Sequence, residues 1–173
     1  MDLRTTRTIR SAIEIRAPLD VVWGVLTDFD SYPDWNPHIR RVTGKMDNGA
    51  RITINTQPPG GRMIVMRPTV VTWDPPNELR WRSKFLAGRL FSGEHGFRLE
   101  PTAPDRVRFV QDETFSGVLV PFYSSLRLAR TRRGFDETNE ALRDRAEQMA
   151  RESASQRADS AVGRRSGTDD HLS

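Results

Sequence analysis

The chain turns at Tyr32-Pro33-Asp34-Trp35-Asn36-Pro37-His38, between an amphipathic helical pattern and a long run of β-type sequence. Each of the two prolines lacks a backbone donor and disfavours the helical conformation for the residue before it. A helix therefore cannot continue through this segment, and Trp35 supplies a large apolar side chain that can anchor the turn. The segment predicts an early change from a short helix to a sheet.

The flanking sequence predicts the elements on either side of this turn. Arg7 to Arg16 alternates apolar and polar residues, which favours a strand. Pro18 suits the first turn of a helix, and helical spacing joins Val22, Val25 and Leu26 into one apolar stripe. After the turn come six β-like runs: Ile39 to Gly44, Ala50 to Gln57, Arg62 to Trp73, Glu78 to Phe85, Arg89 to Glu100 and Arg106 to Gly117. The short gaps between these runs favour antiparallel hairpins.

The C-terminal part of the chain predicts one long helix, from Pro121 to about Arg151. An apolar line with helical spacing runs through Phe122, Leu128, Phe135, Leu142 and Met149. Gly134 interrupts this helix, and its missing side chain indicates a close approach of another element. Ser153 to Ser173 carries almost no large apolar residue, so we expect a disordered tail there and a single domain over residues 1–152.

These elements predict an α+β fold with a curved, seven-stranded antiparallel sheet. Short helices lie between strands one and two, and the long C-terminal helix is the element long enough to cover the apolar face of the sheet. A strongly curved sheet around a single helix rarely closes tightly everywhere. We therefore expect a cavity between the sheet and the helix.

Four stretches of the chain resemble a known superfamily. They are Ala17-Pro18-Leu19-Asp20-Val21-Val22-Trp23, Tyr32-Pro33-Asp34-Trp35-Asn36-Pro37, Gly93-Glu94-His95 and Phe115-Ser116-Gly117. Over about residues 8–150 the chain is similar to the START-like helix-grip superfamily, also called SRPBCC, and within it to the polyketide cyclase/dehydratase and lipid transport group. The resemblance implies the helix-grip fold. It leaves the function open, because the superfamily includes lipid carriers, hormone receptors, allergens, cyclases and aromatases.

Composition narrows the class of protein. The 173 residues contain no Cys, which excludes disulfides and thiolate chemistry, and the net charge of +4 is spread over both signs, which argues against a nucleic-acid binder. No apolar run is long enough to span a membrane, and residues 1–12 lack the apolar core of a signal peptide, so we expect a cytoplasmic protein. The sequence leaves the oligomeric state open.

Strand alternation places a set of aromatic and polar residues of the last three strands on the inner face of the sheet. If the hairpins close at their evident turns, Trp81, Gly93 and Glu113 share one row, and His95 lies opposite Gln111. We therefore predict that the ligand-binding residues are Trp81, Phe91, His95, Phe97, Phe109, Gln111, Glu113 and Phe115. The aromatic residues would provide contact area, and the three polar residues would orient the ligand.

Two interpretations account for His95 and Glu113 on an apolar face. They can form a hydrogen-bonded core pair that fixes the strand register, since an unpartnered buried polar group costs about 1–3 kcal/mol. They can instead line a cavity and orient a polar group of a ligand. If the protein is an enzyme, the same two residues are the candidate catalytic acid and base.

Two other features have a structural and a functional interpretation. His38 begins a strand after the turn, and we expect it to be an exposed or rim residue, because the three His residues of the chain, His38, His95 and His171, do not have the spacing of a metal site. The apolar segment Val118 to Tyr123, beside basic residues of the long helix, could contact an anionic membrane. We favour the alternative that it packs over one end of the cavity.

The leading hypothesis is a binding protein without cofactor or metal that holds a small hydrophobic molecule such as a lipid, polyketide or aromatic metabolite. The second hypothesis is a cofactor-independent enzyme of the cyclase/dehydratase kind that uses His95 or Glu113 as acid or base. The third is a protein-interaction or assembly module without a ligand, which a fully packed interior would favour.

Overall fold

The computed structural model of the protein describes residues 5–85, 90–122 and 125–166. Its strands are β1 (Thr5–Ile15), β2 (Ile39–Thr43), β3 (Thr53–Thr56), β4 (Ile64–Met66), β5 (Thr69–Asp74), β6 (Glu78–Phe85), β7 (Phe91–Ala103) and β8 (Arg106–Gly117). Its helices are α1 (Leu19–Thr27), α2 (Tyr32–Trp35) and α3 (Ser125–Ser166), with 3₁₀ turns at Phe29–Ser31 and Val120–Phe122. This order confirms the predicted α+β helix-grip fold, in which an antiparallel sheet wraps around a long C-terminal helix.

The described strands form two sheets, in the orders β1-β8-β7-β6-β5 and β2-β3-β4. They number eight rather than the predicted seven, because the run Arg62 to Trp73 divides into β4 and β5. The division falls at Pro68, whose ring nitrogen cannot donate to a strand ladder. A bridge between Arg51 and Thr69 connects the two sheets, and the amide of Ile52 donates to Pro68 O at 3.0 Å.

The segment at which the sequence predicted a turn forms the single helical turn α2 and then enters β2. Asn36 ends α2 with an extended backbone, and its buried side-chain oxygen accepts hydrogen bonds from the amides of His38 and Ile39. Tyr32 is buried, and its hydroxyl donates to Leu26 O at the end of α1. These bonds fix the angle between α1 and the first strand of the second sheet.

The register of the last three strands differs from the prediction. His95 pairs with Trp81 on one side and with Glu113 on the other, whereas Gly93 pairs with Ser83 and Phe115. The predicted row of Trp81, Gly93 and Glu113, with His95 opposite Gln111, is therefore wrong by two residues.

The reason for this difference is the position of the two turns. The β6–β7 connection is longer than expected, because Phe85 pairs with Phe91. The β7–β8 turn is also later, because β7 continues past Pro101 to Ala103. A shift of two residues leaves each side chain on the same face of the sheet, so the assignment of the inner face is unchanged.

Helix α3 is longer than predicted. It spans 42 residues and includes residues 153–166, which we expected to be disordered, whereas residues 167–173 lie outside the described part of the chain. We expected disorder there only because the segment lacks large apolar side chains. Extending an existing helix needs no new nucleation, and the Ala, Arg and Gln residues of this polar segment have high helix propensity, so it can continue the helix.

The apolar stripe of α3 packs on the inner face of the sheet through Phe135, Leu142 and Ala146, all buried. Gly134 makes the predicted close approach, since a Cβ atom at this position would lie 3.3 Å from the ring of Pro59. No described helix combines the length and apolar character that a membrane crossing requires.

Two hydrophobic clusters form the core on either side of this packing. The larger cluster joins α1, α2, most of the strands and the middle of α3, and the smaller one contains Ile9, Phe115, Val120 and Phe135. Val120 is fully buried against these residues, whereas Val118 and Leu119 are exposed. None of residues 118–122 lines the cavity described below, and Tyr123 lies outside the described residues.

Candidate functional site

A cavity of about 410 Å³ lies between the inner face of the sheet, the β3–β4 hairpin and α3. Its lining residues are His38, Ile39, Ile54, Thr56, Pro58, Pro59, Ile64, Met66, Trp81, Ser83, Phe91, Gly93, His95, Gln111, Glu113, Phe115, Thr131, Gly134, Phe135 and Thr138. Most of these side chains are apolar, and the volume lies within the range of about 300–1,000 Å³ found for small-molecule sites. The cavity predicted between sheet and helix is therefore present.

Six of the eight predicted site residues line this cavity: Trp81, Phe91, His95, Gln111, Glu113 and Phe115. Phe97 and Phe109 do not. They are 1% and 0% exposed and pack in the larger core cluster, with their rings stacked 6.1 Å apart. The alternation assigned them to the correct face, but they lie further along the sheet, where α1 and α3 leave no space.

The sequence analysis missed two walls of the cavity. One is the β3–β4 hairpin, which contributes Ile54, Thr56, Pro58, Pro59, Ile64 and Met66. The other is the start of α3, which contributes Thr131, Gly134, Phe135 and Thr138. Alternation in β3 and the apolar stripe of α3 marked some of these residues as inward-facing. Neither pattern shows which inward-facing residues meet a void and which meet other side chains.

Three polar residues on β7 and β8, which we call the sheet wall, provide the polar end of the cavity: His95, Gln111 and Glu113. The His95 ring stacks on Phe97 at 4.4 Å and on Phe135 at 4.8 Å between centroids. Gln111 Nε2 lies 2.9 Å from His95 Nε2 and donates to it, which places the proton of the neutral imidazole on Nδ1. Burial lowers the pKa of His95 to about 3, so the ring is neutral at physiological pH.

Glu113 differs from its neighbours because, among the described residues, its carboxylate has no hydrogen-bond partner. Burial raises the pKa of Glu113 to about 7, and the negative charge of Asp112 adds to the shift. The carboxylate lies over Gly93, where a Cβ atom would be 2.9 Å from Glu113 Oε1. Gly93 thus leaves the space that the carboxylate occupies.

The predicted alternative of a hydrogen-bonded His95 and Glu113 core pair is not observed. The two residues face each other across β7 and β8, but His95 is bonded to Gln111 instead. Asp112, between Gln111 and Glu113, points to the opposite face, where both of its carboxylate oxygens accept from Arg80 at 3.0 and 3.1 Å. Asp112 is therefore paired with a cation outside the cavity, whereas Glu113 forms no ion pair with any residue that the structure describes.

A second polar group, which we call the rim, consists of His38, Glu137 and Arg133. His38 lines the cavity with its side chain 14% exposed, as expected for a rim residue. Its Nδ1 lies 3.0 Å from Gln57 O and its Nε2 lies 2.7 Å from Glu137 Oε2. Hydrogen bonds from Arg133 and His38 lower the pKa of Glu137.

Within the described part of the chain, no three His, Cys, Asp or Glu side chains are grouped so that they could hold a metal ion. The imidazole and carboxyl groups that line the cavity are those of His38, His95 and Glu113.

Several solved structures share the fold of this chain. The Zhui aromatase/cyclase from Streptomyces sp. R1128 has a TM-score of 0.67 and 17% identity, over 83% of this chain and 95% of that one. A START superfamily protein from Mycobacterium smegmatis has a TM-score of 0.65 and 19% identity, over 82% and 98%. The protein TTHA0849 from Thermus thermophilus has a TM-score of 0.64 and 15% identity, over 81% and 97%. At these identities the likeness concerns the fold alone.

No curated protein sequence matches the chain. A family model does, and its description is polyketide cyclase/dehydrase and lipid transport. The match covers residues 6–147, which include nearly all of the described strands, α1, α2 and all residues that line the cavity. The chain therefore belongs to the polyketide cyclase/dehydrase and lipid transport family.

Proposed function

We propose that the protein binds a small, mainly hydrophobic molecule in the cavity between the sheet and α3. The observation that carries this proposal is a cavity of about 410 Å³ with apolar walls and one polar end. Trp81, Phe91 and Phe115 would provide aromatic contact area, and the sheet wall would orient the ligand. Phe97 would hold the His95 ring by stacking on it, and Phe109 would pack against Phe97.

The interior argues against the hypothesis of an interaction module without ligand. A fully packed core would have favoured that hypothesis, because a void forfeits the contacts of every atom that lines it. Ser83 is a small residue of the lining, at a strand position where a large apolar side chain could otherwise fill the space. A larger apolar residue at this position would close part of the cavity.

The test is to purify the protein without denaturation, extract it with organic solvent and identify any stoichiometric small molecule by mass spectrometry. A blocked variant, Ser83→Phe, places a ring in the cavity, and Lys84→Phe places the same ring on the outer face of the same strand. We expect a retained molecule in the wild type and in Lys84→Phe but not in Ser83→Phe. An empty wild-type protein that also fails to bind an apolar fluorescent probe would contradict the proposal.

A second candidate, an enzyme of the cyclase/dehydratase type, is favoured by Glu113. A carboxyl group with a pKa of about 7 and no partner among the described residues can accept a proton at neutral pH, as a general base must. His95 is neutral and bonded to Gln111, so its role would be to orient a substrate carbonyl.

This candidate is tested by incubating the protein with an aryl 1,3-diketone in D₂O and following exchange of the acidic C–H protons by NMR. We expect exchange above the buffer rate that Glu113→Gln abolishes and that Glu100→Gln, on the outer face, retains. Exchange at the buffer rate, with bound diketone, would leave binding as the function.

A further inference from the structure

The cavity wall contains few groups that could satisfy an anionic ligand. None of the described residues that line it is Arg or Lys. The hydroxyls of Thr56, Thr131 and Thr138 all donate to backbone carbonyls, at 3.2, 3.1 and 2.8 Å respectively. These three protons are therefore already engaged. Other side-chain donors of the lining, such as the Ser83 hydroxyl and the His95 Nδ1–H, are neutral, so a carboxylate or phosphate in the cavity would lose its hydration without gaining a counter-charge.

The Glu113 carboxylate, in contrast, lines the cavity and has no hydrogen-bond partner among the described residues. It lies over Gly93, whose missing side chain leaves the room that the carboxylate occupies. Gln111 uses its amide nitrogen on His95, and its Oε1 is buried without a partner among the described residues, which adds a second acceptor dipole to this strand face. An unpartnered carboxylate that lines the cavity favours a ligand that brings a proton donor.

The charged groups of the rim do not make the cavity more favourable for an anionic ligand. Arg133 Nε and His38 Nε2 are both within hydrogen-bond distance of the Glu137 carboxylate. A ligand acid at the rim would have to displace an existing ion pair.

We infer that the sheet wall selects apolar molecules that carry a neutral hydroxyl donor, such as a phenol or an alcohol, through a hydrogen bond to Glu113, and that it rejects carboxylates and phosphates. The inference rests on the proposed function, because it concerns the ligand of the same cavity. The raised pKa of Glu113 supports this inference. Burial disfavours the charged carboxylate, and a hydrogen bond from a bound donor would stabilise it.

The test uses three probes with one ring system: 2-naphthol, which donates, 2-methoxynaphthalene, which cannot, and 2-naphthoate, which is anionic. Affinities are measured by calorimetry at about pH 8, above the pKa of Glu113. A hydrogen bond to a charged acceptor should make 2-naphthol bind roughly 10-fold or more tightly than its methyl ether. The anion should bind most weakly of the three.

Two further measurements assign the effect to Glu113. Glu113→Gln should reduce the preference for 2-naphthol and raise the affinity for 2-naphthoate, whereas Glu100→Gln, which removes the same charge from the outer face, should change neither. If Glu113→Gln does not fold, the wild type is titrated at about pH 5.5, where Glu113 is protonated and the penalty on the anion should shrink.

The outcomes separate this inference from the proposed function. Equal affinity for 2-naphthol and its methyl ether, or preferred binding of 2-naphthoate, would overturn the selectivity and leave the binding function intact. Failure of all three probes to bind the wild type would count against both.

Discussion

A His and a Glu lie close together twice, once in the sheet wall and once at the rim, and the pKa of the Glu shifts in opposite directions in the two pairs. In the sheet wall, His95 and Glu113 face each other on neighbouring strands without a hydrogen bond, and their pKa values shift to about 3 and about 7. At the rim, His38 and Glu137 lie 2.7 Å apart, and the pKa of Glu137 is lowered. The surroundings of the sheet wall favour the neutral forms of His95 and Glu113, whereas those of the rim favour the charged form of Glu137.

The difference shows that residue type does not set the charge of a site. Burial without a partner disfavours the charged form of both acids and bases, whereas an opposite charge within hydrogen-bond distance favours it. The rim is partly exposed to solvent, and Arg133 is a cation beside Glu137. The sheet wall has aromatic rings on its sides and no cation among the described lining residues. The following predictions test this contrast, beginning with the largest expected effect.

The first prediction concerns His95→Phe, which keeps the stacking on Phe97 and Phe135. The folded pKa of His95 lies below its unfolded value, so its contribution is present above about pH 6.5 and is lost as pH falls towards 3. As pH falls from about 6.5 to 3, the free energy of unfolding of the wild type should decrease relative to that of the variant by on the order of 4 kcal/mol. Urea denaturation as a function of pH measures the difference, and a constant difference would show that His95 titrates normally.

The second prediction concerns Glu113→Gln, which keeps the shape of the side chain. The folded pKa of Glu113 lies above its unfolded value, so the wild type is relatively most stable below about pH 4.5 and loses stability as pH rises to 7. The free energy of unfolding of the variant minus that of the wild type should therefore be larger above pH 7 than at acid pH, by on the order of 3 kcal/mol. Thermal denaturation at several pH values tests this, with Glu100→Gln as the control, which should show no such trend.

The third prediction concerns the hydrogen bond between Gln111 and His95. Gln111→Met removes the donor at nearly constant volume and should cost about 1–3 kcal/mol of stability, because a ring nitrogen of His95 loses its partner. In a His95→Phe background the same change should cost less. A double-mutant cycle measures the coupling, and additive effects would mean that the bond does not contribute.

The fourth prediction has the smallest effect and concerns the rim. Glu137→Gln should cost less than about 1 kcal/mol, because the pair it breaks is partly exposed to solvent. High salt should diminish this loss, whereas it should leave the effect of Gln111→Met unchanged. A loss of several kcal/mol at the rim would remove the contrast between the two sites.

Local patterns predicted the part of the site that lies on the sheet, but not the walls that the β3–β4 hairpin and the start of α3 contribute. Period-two alternation placed Trp81, His95 and Glu113 on one face, and a register error of two residues left that face unchanged. Phe97 has the same parity and similar chemistry, yet it belongs to the core. Its position depends on where α1 and α3 cross the sheet, which no pattern within β7 records.

The sequence by itself determined the elements and their order. The prolines at 33 and 37 end the helical region, alternation defines the strand faces and the apolar stripe defines the inner side of α3, because each of these is a short-range steric or periodic property. The tertiary structure decided the rest: the eighth strand, the strand register, the cavity and the charge states of His95 and Glu113. These depend on distances between residues far apart in the chain, since a void and a pKa are set by everything that surrounds a group.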